Sequence, residues 1–157
     1  MKVLDNTLPN PEDEEAPLGA LDHLVGYHLR RASGAFGADF ARAVEGTGMR
    51  QVLFGILSVV GANPGINQGA AGRSLGIQRA NMVTLINQLA DLGLLDRQTA
   101  ADDRRALALR LTQAGEKMLE ECLERIEAHE EHMLAGLTAA ERRTLLGLLT
   151  KIEGRKR

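Results

Sequence analysis

The chain has 157 residues, a formal net charge of −2 and a single cysteine, with 44% hydrophobic residues and no tryptophan. That length suits one domain with a sizeable core, and the lone Cys excludes an intrachain disulfide framework and fits a reducing, cytoplasmic setting. The small net charge excludes a uniformly basic nucleic-acid coat, and no signal peptide or apolar run of bilayer length is present, so no membrane partner is expected.

Residues 1–17 contain three of the four prolines and the run Glu12-Asp13-Glu14-Glu15, which reads as a mobile acidic arm. From Leu21 the pattern turns helical. Leu21, Leu24, Val25, His28, Leu29, Ala32, Phe36 and Phe40 recur at three- and four-residue spacing and form one apolar face. Gly46 and Gly48 bracket Thr47, an expected N-cap for a helix of about Met49 to Val60 that buries Val52, Leu53, Ile56 and Leu57 and ends at Gly61.

Residues 63–115 carry the most information. Asn67 is an expected N-cap for a short helix ending near Leu75, with Gly76 as its left-handed stop. A second helix follows from Arg79 to about Leu92, with Gln78 as its cap and Gly93 as its end. Met82, Ile86 and Leu89 make its apolar stripe, widened by Leu85 and Leu92. Beyond Leu94 and Leu95 lies a polar run, and then Leu107, Leu109 and Leu111 alternate with Ala106, Ala108 and Arg110, the period of a half-buried strand. Two short helices, a β-hairpin with Arg104 and Arg105 near its tip, and a new helix make a winged helix-turn-helix, an arrangement that reads duplex DNA. Gln78, Arg79, Asn81, Thr84 and Asn87 lie on the early or polar side of the second helix. Their side-chain types reach base edges and phosphates, while Arg104 and Arg105 suit phosphates or a narrow minor groove. An ordinary charged hairpin remains the alternative for the loop alone.

After the hairpin, Thr112 caps a long helix along which Met118, Cys122, Ile126, His129 and Met133 share one stripe. Thr138 and Glu141 form a capping box for the last helix, where Leu145, Leu148, Leu149 and Ile152 fall on one side. The charge is uneven. Residues 66–111 hold six Arg against four Asp, and residues 112–137 hold seven Glu against one Lys and one Arg, so a basic reader adjoins an acidic stalk. The apolar stripes of the terminal helices exceed what so small a lobe can cover, which points to pairing with a second copy.

Pro64-Gly65, Leu75-Gly76-Ile77, Leu89-(x)3-Gly93-Leu94-Leu95-(x)-Arg97, Asp103-Arg104-Arg105 and Leu111-Thr112-(x)2-Gly115 together resemble the MarR family of bacterial transcriptional regulators over about residues 21–152. The resemblance implies a mainly α fold with a small β-wing. A winged helix-turn-helix lobe at about 47–111 would be flanked by dimerisation helices at about 19–45 and 113–153, all within one domain of residues 18–157. It also implies a homodimeric repressor on double-stranded DNA, released by a small molecule, often a phenolic acid. GYHLRRA in the first helix and RANMV in the reader look like the branch that senses hydroxycinnamoyl-CoA thioesters.

Tyr27, Arg30, Arg31, Phe36, Phe40, Arg50 and Phe54 are the expected effector contacts, because rings bury an aromatic body and guanidinium binds carboxylate or phosphate. The competing reading makes the Phe residues core and the arginines ion pairs. His129 and His132 could start a metal site but lack further ligands, and Cys122 has acidic helical neighbours, so both read as structural. No nucleophile–base pair, phosphate loop or resident cofactor is expected, and so no enzyme. A winged-helix module that binds protein in place of DNA is the alternative class.

Overall fold

The computed structural model describes residues 16–99 and 107–154. A short 3-10 turn, Gly19–Leu21, precedes α1 (Val25–Ala43), α2 (Gln51–Ala62), α3 (Gln68–Leu75), α4 (Arg79–Asp91), β1 (Leu95–Thr99), β2 (Leu107–Leu111), α5 (Gln113–Met133) and α6 (Ala139–Ile152). The architecture is mainly helical with one two-stranded antiparallel sheet. The described residues divide into two compact units, one ending at residue 35 and the other starting at residue 36, with the boundary inside α1.

The second unit is built on α2, which meets α3, α4, α5 and β2. The reason is compositional: α2 is apolar almost all round, and such a helix belongs in a core. Leu53, Ile56, Leu57 and Val60 are fully enclosed. Against them pack Met82, Ile86 and Leu89 of α4, Leu95 and Leu109 of the two strands, and Cys122 and Ile126 of α5. Each large aliphatic side chain taken out of water contributes about 1.5–3 kcal/mol, so this cluster is the main stabilising term.

Local chemistry sets most element ends. The Asn67 side chain accepts from the Ala70 N–H at 2.8 Å and starts α3. Gly76, at φ +66°, stops it, and the Ile77 N–H returns to the Gly72 carbonyl. Thr112 caps α5 through the Gly115 N–H, and Thr138 with Glu141 forms the complete capping box of α6. These Thr138 hydrogen bonds hold the Glu141 carboxyl below its ordinary range.

Three expectations need correction. Thr47 does not cap α2. Its hydroxyl donates to the Val44 carbonyl and accepts from the Met49 N–H, bracing the α1–α2 turn, while the α2 N-cap is Arg50. Gly61 does not end α2, which runs on to Ala62. Leu92 is not part of the buried stripe of α4. It is the C-cap, turned outward and half exposed.

The strands pair with Leu95 opposite Leu111 and Arg97 opposite Leu109. A third segment lies along β2: the Gly65 N–H donates to the Leu109 carbonyl, and the Leu109 N–H donates to the Ile66 carbonyl. The segment opening the helix-turn-helix thereby pairs with an otherwise open strand edge.

Candidate nucleic-acid interface and effector cavity

Helix α4 turns Met82, Leu85, Ile86 and Leu89 inward. At 3.6 residues per turn the opposite line is Ala80, Thr84 and Asn87, flanked by Arg79, Asn81 and Val83, and all six are exposed. Gln78 is the N-cap, but its side chain makes no cap hydrogen bond and stays exposed. The structure therefore brings Gln78, Arg79, Asn81, Thr84 and Asn87 to the outer side of one helix. Its N-terminal end carries the positive pole of the helix dipole, which favours phosphate.

Asn87 has a second partner that the sequence does not reveal. Its Oδ1 accepts from the Arg97 guanidinium on β1. This bond ties the base of the wing to the outer face of α4. Arg97 and Asn87 thus join β1 to α4. Spacing alone could not show it, because the pairing depends on how β1 leaves α4. Arg104 and Arg105 lie outside the described residues.

Within residues 16–35, Arg30 and Arg31 both stand over the ring of Tyr27, with guanidinium carbons 5.4 and 5.9 Å from its centroid. Their i+3 and i+4 spacing puts them on one side of the helix above it. These three expected effector contacts form a single cationic cluster.

Within the second unit, a cavity of about 710 Å³ is lined by Phe40, Arg50, Val52, Phe54, Ile126 and Glu130, with Leu75 and Ile77 also on its wall. The rings of Phe40 and Phe54 stand 6.2 Å apart at 60°. The volume falls in the range of small-molecule sites, and one cationic and one anionic side chain on an apolar wall fit a polar aromatic ligand. Arg50 has a further role here, since its Nη2 donates to Gln88 Oε1 on α4 at 2.9 Å.

Phe36 is not among the lining residues. Its ring meets His129 edge-on at 5.8 Å. His129 is buried, and its Nδ1 faces the Asp39 carboxylate, an ion pair whenever the imidazole is protonated. Burial acts to raise the Asp39 carboxyl, but the His129 hydrogen bond, with help from Arg42, outweighs it and holds the group below its ordinary value. His129 is therefore a core residue joining α1 to α5. Burial pushes the Cys122 thiol up, against a Thr47 hydrogen bond, which leaves less reactive thiolate. Among the described residues there is no cluster of three potential metal ligands, and no helix is long and apolar enough to cross a membrane.

Comparison with known proteins gives the family. A model of the MarR family matches residues 48–106. A candidate transcriptional regulatory protein for the hcr operon of Thauera aromatica is 34% identical over 144 residues, which cover 91% of this chain and 87% of that one. The transcriptional repressor CouR, solved on a 23-mer DNA duplex, is similar with a TM-score of 0.84 and 33% identity, over 89% of this chain and 99% of its own. The regulator PcaV of Streptomyces coelicolor, solved with its natural ligand, gives a TM-score of 0.78 at 25% identity, over 89% of this chain and 98% of its own.

Proposed function

Because the chain belongs to the MarR family of transcriptional regulators, we propose that it is a homodimeric repressor that binds a two-fold operator and leaves it when an aromatic acid, or its CoA thioester, is bound. The observation that carries the DNA reading is the outward line of Gln78, Arg79, Asn81, Thr84 and Asn87 on a helix whose other face is fully packed. The similar repressor solved on a duplex supports it. Two copies would place their α4 helices in successive major grooves, about 34 Å apart. Arg104 and Arg105 would then meet phosphate or the minor groove.

The effector reading is supported by the cavity between Phe40, Phe54 and Ile126. A ring would bury among those side chains. The carboxylate of a free acid would pair with Arg50, where a thioester would offer only its neutral carbonyl oxygen, and a ring hydroxyl would donate to Glu130. Arg30 and Arg31 are proposed as a second anion-holding group, suited to the phosphates of a CoA ester. Replacing both with Ala should then weaken binding of the thioester more than binding of the free acid.

Operator titration of two variant sets tests the DNA reading. Arg104→Ala with Arg105→Ala should weaken binding to every sequence alike. The slope of log K against log salt should fall by about 0.9 for each phosphate no longer neutralised. Gln78→Ala, Arg79→Ala, Asn81→Ala and Thr84→Ala should instead relax particular base positions, by roughly 1–3 kcal/mol where the parent side chain binds a base bidentately. Unchanged preference in all four, together with an unchanged salt slope in the arginine pair, would reject this interface.

A further inference from the structure

We propose that Arg50 is the residue through which occupation of the cavity reaches the reading helix, by exchanging its hydrogen bond with Gln88 for one with the bound anion. This rests on the effector reading given above. Arg50 lines the cavity beside Phe40 and Phe54, and its Nη2 donates to Gln88 Oε1 in the second half of α4. The same cavity is walled by Leu75 and Ile77, which bound the turn that sets the start of α4. One cavity therefore touches α4 near both of its ends, once through the turn and once through Arg50.

The exchange follows from hydrogen-bond strengths. Gln88 offers a neutral amide oxygen, whereas a carboxylate pairs with guanidinium in a charge-assisted and often bidentate bond roughly twice as strong. A bidentate carboxylate engages a fork of guanidinium N–H groups, and taking the Nη2 end withdraws it from Gln88. α4 then loses a tether to the N-terminus of α2. Thermodynamic reciprocity makes the reverse hold: any change that weakens the Arg50–Gln88 bond should tighten the anion and reduce its power to release DNA.

Gln88 is not an expected DNA contact and does not line the cavity, so it is the place to test this. Gln88→Met keeps the length but lacks a strong acceptor, while Gln88→Glu offers Arg50 a permanent rival carboxylate. The probe is 4-hydroxycinnamate. Its affinity is measured by calorimetry on the full chain without DNA, and operator affinity is measured with and without saturating probe. Gln88→Met should bind the probe about threefold tighter than the parent, and its release factor should shrink towards one. Gln88→Glu should bind the probe about threefold more weakly than the parent. A merely structural role for Gln88 would not move probe affinity in opposite directions. Parent-like affinity and release in both variants would overturn the coupling while leaving the effector reading intact. Failure of the parent to bind the probe would overturn the cavity assignment, and the coupling with it.

Discussion

Gly115→Ala should destabilise the protein by about 3 kcal/mol, at the upper end of what overpacking costs. A Cβ at this position would overlap the Leu94 carbonyl oxygen and stand 2.9 Å from its carbon. Both are backbone atoms, so no rotamer change relieves the clash, and the first turn of α5 must move away. That turn is the clasp of the wing. The Thr112 hydroxyl donates to the Gly93 carbonyl at 2.6 Å, and the Thr112 N–H donates to the Leu94 carbonyl at 3.2 Å. Displacing α5 strains both bonds as well as the cap that Thr112 makes with the Gly115 N–H. Chemical denaturation at fixed protein concentration should show the midpoint falling without a change in slope. Gly136→Ala is the control: nothing lies within 4 Å of its Cβ position, so it should stay within about 0.5 kcal/mol of the parent. Equal stability of Gly115→Ala and the parent would mean that α5 does not approach Leu94 as described.

Leu145→Asp with Leu148→Asp should give a folded monomer whose operator affinity is at least about a hundredfold lower. α6 buries none of its residues, and Leu145, Leu148 and Ile152 are 38%, 51% and 64% exposed. Three aliphatic side chains spaced i, i+3 and i+7 share one face of this helix, and their exposure to water suits an association surface. Arg142 reaches the Glu131 carboxylate and the Leu134 carbonyl, which joins α6 to the end of α5 without covering that surface. The proposed occupant is a second copy. Burying a carboxylate there costs far more than the apolar contact gains, so the pair should separate. With two readers on one body the second half-site is met at high effective concentration, which adds about 10²–10⁴ to affinity, and the monomer forfeits that factor. Light scattering reports the separation, and operator titration reports the weaker binding. A variant that stays dimeric places the interface elsewhere.

Features that depend on residues within one helical turn are legible in the sequence. Asn67, Thr112 and the Thr138–Glu141 box cap the helices expected of them, and Gly76 and Gly93 take positive φ where those helices stop. The alternation of Leu109 with its neighbours marks the second strand for the same reason. Thr47 misleads because two adjacent glycines and a hydroxyl suit a turn as well as a cap. Leu92 misleads because its helical phase is right, yet the helix has already ended beneath it.

Of the candidate sites, the outer line of α4 is readable because it is the complement of an apolar stripe. The links between elements are not. Arg50 to Gln88 spans 38 residues, and Asn87 to Arg97 crosses from helix to strand, so both depend on tertiary placement. Composition puts Phe36 on the cavity wall, but its ring meets His129, which sits on α5 far along the chain.

If a dimer of this chain reads an operator and is released by an aromatic effector, one titration shows both. A labelled duplex from the region upstream of its own gene is titrated with protein at about 0.15 M salt, roughly physiological ionic strength, with a scrambled duplex alongside. The titration is repeated with 4-hydroxycinnamate and with its CoA thioester. Binding should saturate at two protomers per duplex, with a Kd between about 10⁻⁸ and 10⁻¹¹ M and at least about 10³-fold tighter than to the scrambled duplex, and one of the two compounds should release it. Equal affinity for operator and scrambled duplex would contradict the repressor reading, and a specific complex that neither compound dissociates would contradict the effector reading.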